Sequence, residues 1–366
     1  MANANVARND TSRDTEMKMQ AAPARRAQAR STFLRILSRS YLLLVLLAMI
    51  LIGSLVSPDF LTSRNALNVL SFSSIIALLA VGQFFVVLTG GIDLSVGAVL
   101  ALSTVVAALT MQAGFGAGAG MLFSLGACST VGLVTGVLIV YLGIPPFITT
   151  LAMMTAVQGL SYIIQSTSLI YIENQTFVNI LSEGHVLGIQ SPVFIFISVT
   201  LIAAVIARFS VFGRELYAIG GNREAARLSG LPVNRNLLLT YTISGFLAGL
   251  AGLLAAAQLY QGSSLIGRGY ELDAIAAVVV GGATLMGGRG DPISAVVGVF
   301  ILSIIVNIMN LMGISSEPQL VIKGLVILVA VYLSSAGGVD QISALFRRRR
   351  SRPSPRAADA VDGSVK

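Results

Sequence analysis

The chain has no tryptophan, one cysteine, one histidine and three lysines, and only 11% of its 366 residues are charged. Each shortage excludes something. Soluble domains carry roughly 25% charged residues, so this chain has too few charges to keep a particle of its size in water. A lone cysteine, Cys128, rules out a disulfide scaffold. One histidine, His185, with no HExxH and no Cys/His cluster, leaves no metal site. Lys18 precedes Met19, Lys323 precedes Gly324 and Lys366 is last, so a P-loop of the form GxxxxGK[ST] is excluded. No catalytic residue is expected. If ATP drives this protein, another chain hydrolyses it.

What is present is apolar: 55% hydrophobic residues and a mean hydropathy of +0.84. That excludes a disordered chain and predicts an all-α polytopic membrane protein. A helix needs about 20 apolar residues to cross ~30 Å of hydrocarbon. Ten stretches qualify: 41–57, 67–89, 93–111, 120–142, 147–165, 193–209, 238–260, 271–287, 293–312 and 319–335. Gly and Pro interrupt 143–165 and 271–292, so each of these is either a full span or a broken, re-entrant one. Residues 1–40 read as a disordered basic arm, 41–336 as the transmembrane domain and 337–366 as a basic tail. One side collects 21 of the 24 Lys and Arg; the exceptions are Arg64, Arg268 and Lys323. The positive-inside rule then puts both termini in the cytoplasm. The net charge of +8 serves orientation and attraction to anionic lipid, not nucleic acid. Without tryptophan, an interfacial aromatic belt falls to Tyr41, Tyr141, Tyr162, Tyr241, Tyr260, Tyr270 and Tyr332.

Four features carry chemistry. The loop 210–236 contains a helix over 223–229, with Asn222 as N-cap, Glu224 in the first turn, Gly230 as the left-handed stop and Pro232 beyond it. Seven residues are too few to persist alone in water, so this helix must dock. It carries Arg223, Ala225, Ala226, Arg227 and Leu228, and it is either a plug for a groove in a soluble partner or a helix on the membrane surface. At Thr89-Gly-Gly-Ile-Asp93-Leu-Ser95, an acid this close to hydrocarbon must be paired or capping. Asp93 either caps the third span or contacts substrate, and Gly287–Ser294 echoes the run loosely. Glu271 and Asp273 enter the eighth span from outside, either facing a pore or capping a helix. Finally, in-span amides at Gln83, Gln158, Gln258, Asn307 and Asn310 both donate and accept, which fits a hydroxyl-rich solute and interhelical bonding equally. Gln83, Asp93, Ser95, Asp273, Asn307 and Asn310 are the candidate pathway residues. Gly132-xxx-Gly136 and Gly245-xxx-Gly249, extended by Gly252, let helix backbones approach within the chain or across a dimer.

Four segments, in order, resemble a known family: TGGIDLSVGAVLAL at 89–102, GRELYAIGGNREAARLSGLPV at 213–233, TISGFLAGLAGLL at 242–254 and YELDAIAAVVVGGATLMGGRG at 270–290. They are similar to the ribose-type permeases of bacterial ATP-binding-cassette (ABC) sugar importers, over about residues 60–335. The resemblance implies a homodimer in the bacterial inner membrane, an ABC ATPase subunit below that binds ATP and Mg, and a periplasmic sugar-binding protein above. It also implies that no cofactor is bound by this chain. Glu224-Ala225-Ala226 with Gly230 matches the first half of the importers' coupling-loop pattern, while the later Ile-x-Leu-Pro half is missing at its usual distance. The expected function is import of a monosaccharide such as ribose. The alternative is an ion-coupled secondary transporter using Asp93 or Asp273 at mid-membrane. Against it, both acids are expected near span ends.

Overall fold

The computed structural model describes residues 42–166 and 169–334. The basic arm and tail expected at 1–40 and 337–366 lie outside the described residues. A short apolar helix, α1 (Leu42–Val56), comes first, and one compact unit begins at Ile52. It contains α2 (Ser63–Leu88), α3 (Val96–Gln112), α4 (Ala117–Tyr141), α5 (Pro146–Gln165), α6 (Gln175–Val178), α7 (Ser191–Phe209), α8 (Val211–Gly221), α9 (Arg223–Leu228), α10 (Val233–Leu259), α11 (Tyr270–Val280), α12 (Pro292–Leu311) and α13 (Ser316–Ser334). Six described helices, α2, α4, α5, α7, α10 and α12, are long and apolar enough to cross a bilayer. Proline at the first turn starts α5, α7 and α12, where its missing N–H has no intrahelical partner to lose. Every predicted span has a helix in it, and 143–165 resolves as a continuous α5.

The core is α2, α3 and α10. Their facing residues are mostly small or aliphatic, such as Ala80, Leu100 and Ala251, all buried. The two small-residue motifs meet each other. A Cβ on Gly132 would overlap the Tyr241 carbonyl, and one on Gly245 would overlap the Cys128 carbonyl. The glycines therefore join α4 to α10 inside one chain.

Two predicted spans are helical for only part of their length. Residues 89–95 are not helical, and α3 begins at Val96, where residue 93 was expected to start it. At the opposite end of the molecule, strands Ile170–Tyr171 and Gln261–Gly262 pair antiparallel. From there the chain turns inward: Ser263 bonds Thr104, and Gly267 lies against Gly97. Gly97 is fifteen residues from the end of α3, about 22 Å of helical rise. Residues 261–270, the short connection between the expected spans 238–260 and 271–287, thus descend into the helical layer. Only then does α11 begin, and it is eleven residues long, about 16 Å. The half-helices α3 and α11 start at a common level near the middle and leave in opposite directions.

The tyrosine belt needs correction for the same reason. Tyr241 is 1% exposed in the core, its hydroxyl against Gly91, and Tyr270 opens α11 at mid-depth. Neither marks an interface.

Candidate functional site

Most described arginines collect at one end, and there α8 and α9 form an elbow. Ser210 caps α8 by accepting the Gly213 N–H (2.9 Å). Asn222 caps α9 by accepting the Ala225 N–H (2.9 Å). Gly230, at φ +80°, closes α9 with its N–H on Arg227 O and that of Leu231 on Ala226 O, the left-handed stop that glycine permits. The helix ends at Leu228, one residue before the sequence expectation. Ala226 is buried against Ile219, Val233 and Leu237, so it anchors α9 to its own chain. Ala225 and Leu228 face out, Leu228 at 78% exposure. Arg227 and Glu224 pair at 3.0 Å on the open surface, which is worth little stability.

The elbow is fastened through backbone. Gly220 lies against the Leu88 carbonyl and the Gly288 amide, and Gly288 N–H donates to Leu88 O at 2.9 Å. Gly287 contacts both Gly90 and Gly220. Gly90, Gly287 and Gly288 all have positive φ, so side chains there would be strained as well as crowded. Tyr217 donates to Gly290 O (2.8 Å), and Arg208 pairs with Asp291 (3.1 Å). Burial, reinforced by Asp291, pushes the Tyr217 phenol above its ordinary pKa and keeps it a donor. The two glycine-rich turns that resemble each other in sequence thus meet at one knot, with α8 between them.

Above the knot, Asp93 is buried. One carboxylate oxygen accepts the Ser95 N–H (2.9 Å) and hydroxyl (2.6 Å); the other accepts the Ser244 hydroxyl (2.8 Å). The Gln83 amide, oriented to satisfy its neighbours, donates to Asp93 O (3.1 Å) and accepts from Asp93 N (3.2 Å). Asp93 does not cap α3 as the sequence predicts: Ser95 is the N-cap, and it makes no capping bond of its own. The acid holds the turn before the helix.

Two cavities flank the start of α11. The first, about 490 Å3, lies among α2, α11, α12 and α13. Asp273, Asn307 and Asn310 line it, with Lys323 paired to Asp273 at 2.8 Å. Asn307 exchanges amide bonds with Asn65 (3.0 and 2.8 Å), and Asn310 accepts from Gln319 (2.7 Å). The second, about 440 Å3, lies between α3, α5 and residues 267–271. Gln158, Tyr162, Arg268 and Glu271 line it.

With that geometry in place, comparison decides the family. The sequence profile described as "Branched-chain amino acid transport system / permease component" matches residues 65–331. The chain belongs to this permease family. It is 40% identical over 296 residues to the ribose import permease protein RbsC of Escherichia coli K12, covering 80% of this chain and 92% of that one. The D-allose transport system permease protein AlsC of the same strain is 37% identical over 282 residues, 77% of this chain and 86% of AlsC. The L-arabinose ABC transporter permease protein AraH of Azospirillum brasilense is 36% identical over 305 residues, 83% and 90% of the two chains. No solved structure matches the chain. The protein is a multi-pass membrane transport permease, as the sequence motifs imply.

The six pathway candidates of this permease fall into two groups. Asp273, Asn307 and Asn310 share the first cavity. Gln83, Asp93 and Ser95 form a buried cluster among α2, α3 and α10 and line neither cavity. Asp93 and Asp273 both lie at the start of a helix, just before α3 and in the first turn of α11. Family membership, not their position, disfavours the ion-coupled reading. Sequence reasoning noted Arg268 only as an exception to the charge asymmetry and Gly97 only within a family segment, and it passed over Thr155. The available signal was an arginine three residues before an acid in GRGYELD, a costly pair of charges if the segment enters the membrane.

Proposed function

We propose that this chain is the membrane-spanning permease subunit of an ATP-driven monosaccharide importer in the bacterial inner membrane. Ten helices cross or enter the bilayer, with the basic end and both termini in the cytoplasm. Two copies form the pathway. A separate ABC ATPase, carrying ATP and Mg, docks on the 210–236 loop, and a periplasmic sugar-binding protein delivers to the opposite end, over residues 169–190. Relatives named for ribose, allose and arabinose support a sugar; the amino-acid wording of the family description makes leucine the competitor to test.

The observation that carries this reading is the mounting of α9. A two-turn helix capped at both ends presents an exposed Leu228, and glycine contacts lock its support to the turns at 89–91 and 287–290. A push on α9 therefore reaches both half-helices through backbone rather than flexible side chains. Asn222, Arg223, Glu224, Ala225, Arg227 and Leu228 form the contact; Ala226 and Gly230 hold its shape. Of the six pathway candidates, Asp273, Asn307 and Asn310 have solvent-sized space beside them.

The test uses Leu228→Asp and Ala225→Trp, both on the exposed face. Each should leave insertion normal and weaken co-purification of the ATPase, or leave hydrolysis uncoupled from uptake of radiolabelled D-ribose, D-allose or L-arabinose. Normal association and uptake in both variants would make α9 a surface feature only. Uptake of L-leucine in place of every sugar would overturn the substrate class.

A further inference from the structure

The cleft between α3, α5 and the descending segment 267–271 contains chemistry that nothing in the coupling machinery uses. Its depth follows from the fold: Gly267 and Gly97 are in contact about 22 Å below the end of α3. Arg268 and Glu271 are therefore at the level of the helical layer; in a permease whose helices cross the bilayer, an ionisable side chain at such a level is costly and marks a functional position. Neither is neutralised by an ion pair among the described residues. The Glu271 carboxylate sits against Gly97. Arg268 donates to the Tyr162 hydroxyl and lies over its ring, 5.8 Å from the centroid. Contrast Asp273, whose charge Lys323 answers at 2.8 Å.

The other wall is α5, the least buried of the six long apolar helices, with 22% of its apolar window buried. Its cleft-facing residues, Thr155, Gln158 and Tyr162, are polar at one end and spaced three or four apart. Such a face does not suit lipid. Gly159, between them, has nothing within 4 Å of an added Cβ, so the space is real and not a packing requirement.

We infer that this cleft is a sugar subsite on the translocation path, holding a monosaccharide between Tyr162 and Glu271. The inference rests on the proposed function and deepens it. The carboxylate accepts hydrogen bonds from sugar hydroxyls and the Arg268 guanidinium donates; the Thr155 hydroxyl, whose own proton goes to Leu151 O (3.1 Å), accepts through its free lone pairs, and the exposed part of the Tyr162 ring covers a C–H face. At about 440 Å3, the cleft falls within the ~300–1,000 Å3 that small-molecule sites occupy. A neutral polyol needs dispersed donors and acceptors, and these are what the cleft presents.

Three variants test it in cells carrying the whole transport system, with radiolabelled D-ribose, D-allose, L-arabinose and L-leucine as probes. Gly159→Leu fills the cleft without meeting backbone; sugar uptake should fall about tenfold or more while ATPase co-purification stays normal. Glu271→Gln keeps shape and removes charge-assisted bonds, and uptake should fall about tenfold. Thr155→Cys is nearly isosteric and, because Cys128 is buried, supplies one reactive thiol. A methanethiosulfonate reagent should then block uptake, and excess transported sugar should slow the reaction. Unchanged uptake in Gly159→Leu, or in fully modified Thr155→Cys, overturns the subsite while leaving the importer reading intact. A wild-type system that accumulates none of the sugars refutes the importer reading, and the subsite falls with it.

Discussion

Two stretches of this permease enter the helical layer as non-helical chain and become helix part-way: residues 89–95 before α3, and 261–269 before α11. Both place acids at the transition, yet the two transitions are built oppositely. At the first, Asp93 is buried and its two oxygens accept three hydrogen bonds from Ser95 and Ser244, with Gln83 clamping its backbone. At the second, Asp273 answers Lys323 while Glu271 and Arg268 stand open in a cleft. A buried carboxylate with both oxygens engaged is structural, because moving it breaks several bonds at once. An intramembrane carboxylate without a cation has capacity left for a ligand.

Removing Asp93 should have the largest effect. Asp93→Ala leaves the Ser95 N–H and the Ser244 hydroxyl buried without an acceptor, about 3–5 kcal/mol in sum. The expected outcome is loss of assembled permease, read by size-exclusion profile and thermal unfolding in detergent, with Asp93→Asn milder. A stable, transporting Asp93→Ala would erase the distinction between the two transitions.

The Asp273–Lys323 pair comes next. Lys323→Met or Asp273→Asn alone should cost about 1–3 kcal/mol, by leaving the partner uncompensated in a partly buried site. The double variant should recover most of that loss, and a thermal-unfolding double-mutant cycle measures the recovery. Simple additivity would mean that the pair is not coupled.

Asn222→Ala should cost about 1 kcal/mol, confined to α9. Hydrogen exchange at Ala225 and its neighbours should quicken, with the core helices unchanged. Protection that stays the same would show α9 held by Ala226 packing alone.

The smallest effect on stability sharpens the comparison most. Glu271→Gln should alter thermal stability by no more than about 0.5 kcal/mol, although it should lower uptake. A loss of stability as large as that of Asp93→Ala would put both acids in the same structural class.

Much of the basic end was legible in sequence. Asn222, Gly230 and Pro232 delimit α9 by local rules alone, and α9 forms within one residue of that reading. Gly132, Gly136, Gly245 and Gly249 announce close packing, and they meet. Which face of α9 is free was not legible: Ala225 and Ala226 are chemically identical, and only the positions of Ile219 and Leu237 make one an anchor. The tyrosines misled because Tyr241 is near a span end in sequence while α10, at 27 residues, extends well past the apolar run.

While α8 went unread and α11 stops seven residues before the end of its expected span, the sequence by itself determined the membrane class, the family and the apolar helical segments. These follow from one-dimensional quantities: apolar length against bilayer thickness, charge asymmetry, caps and glycine spacing. The tertiary structure alone decided the depth of each charge. The segment GSSLIGRG reads as an exposed turn because it is short and polar. It enters the layer because Gly97 leaves backbone room for Gly267 and Thr104 receives Ser263. Those contacts join residues more than 150 positions apart, so no local pattern encodes them. They bring Glu271 and Arg268 into the helical layer, just as the hydroxyls of Ser95 and Ser244 make Asp93 a fastener.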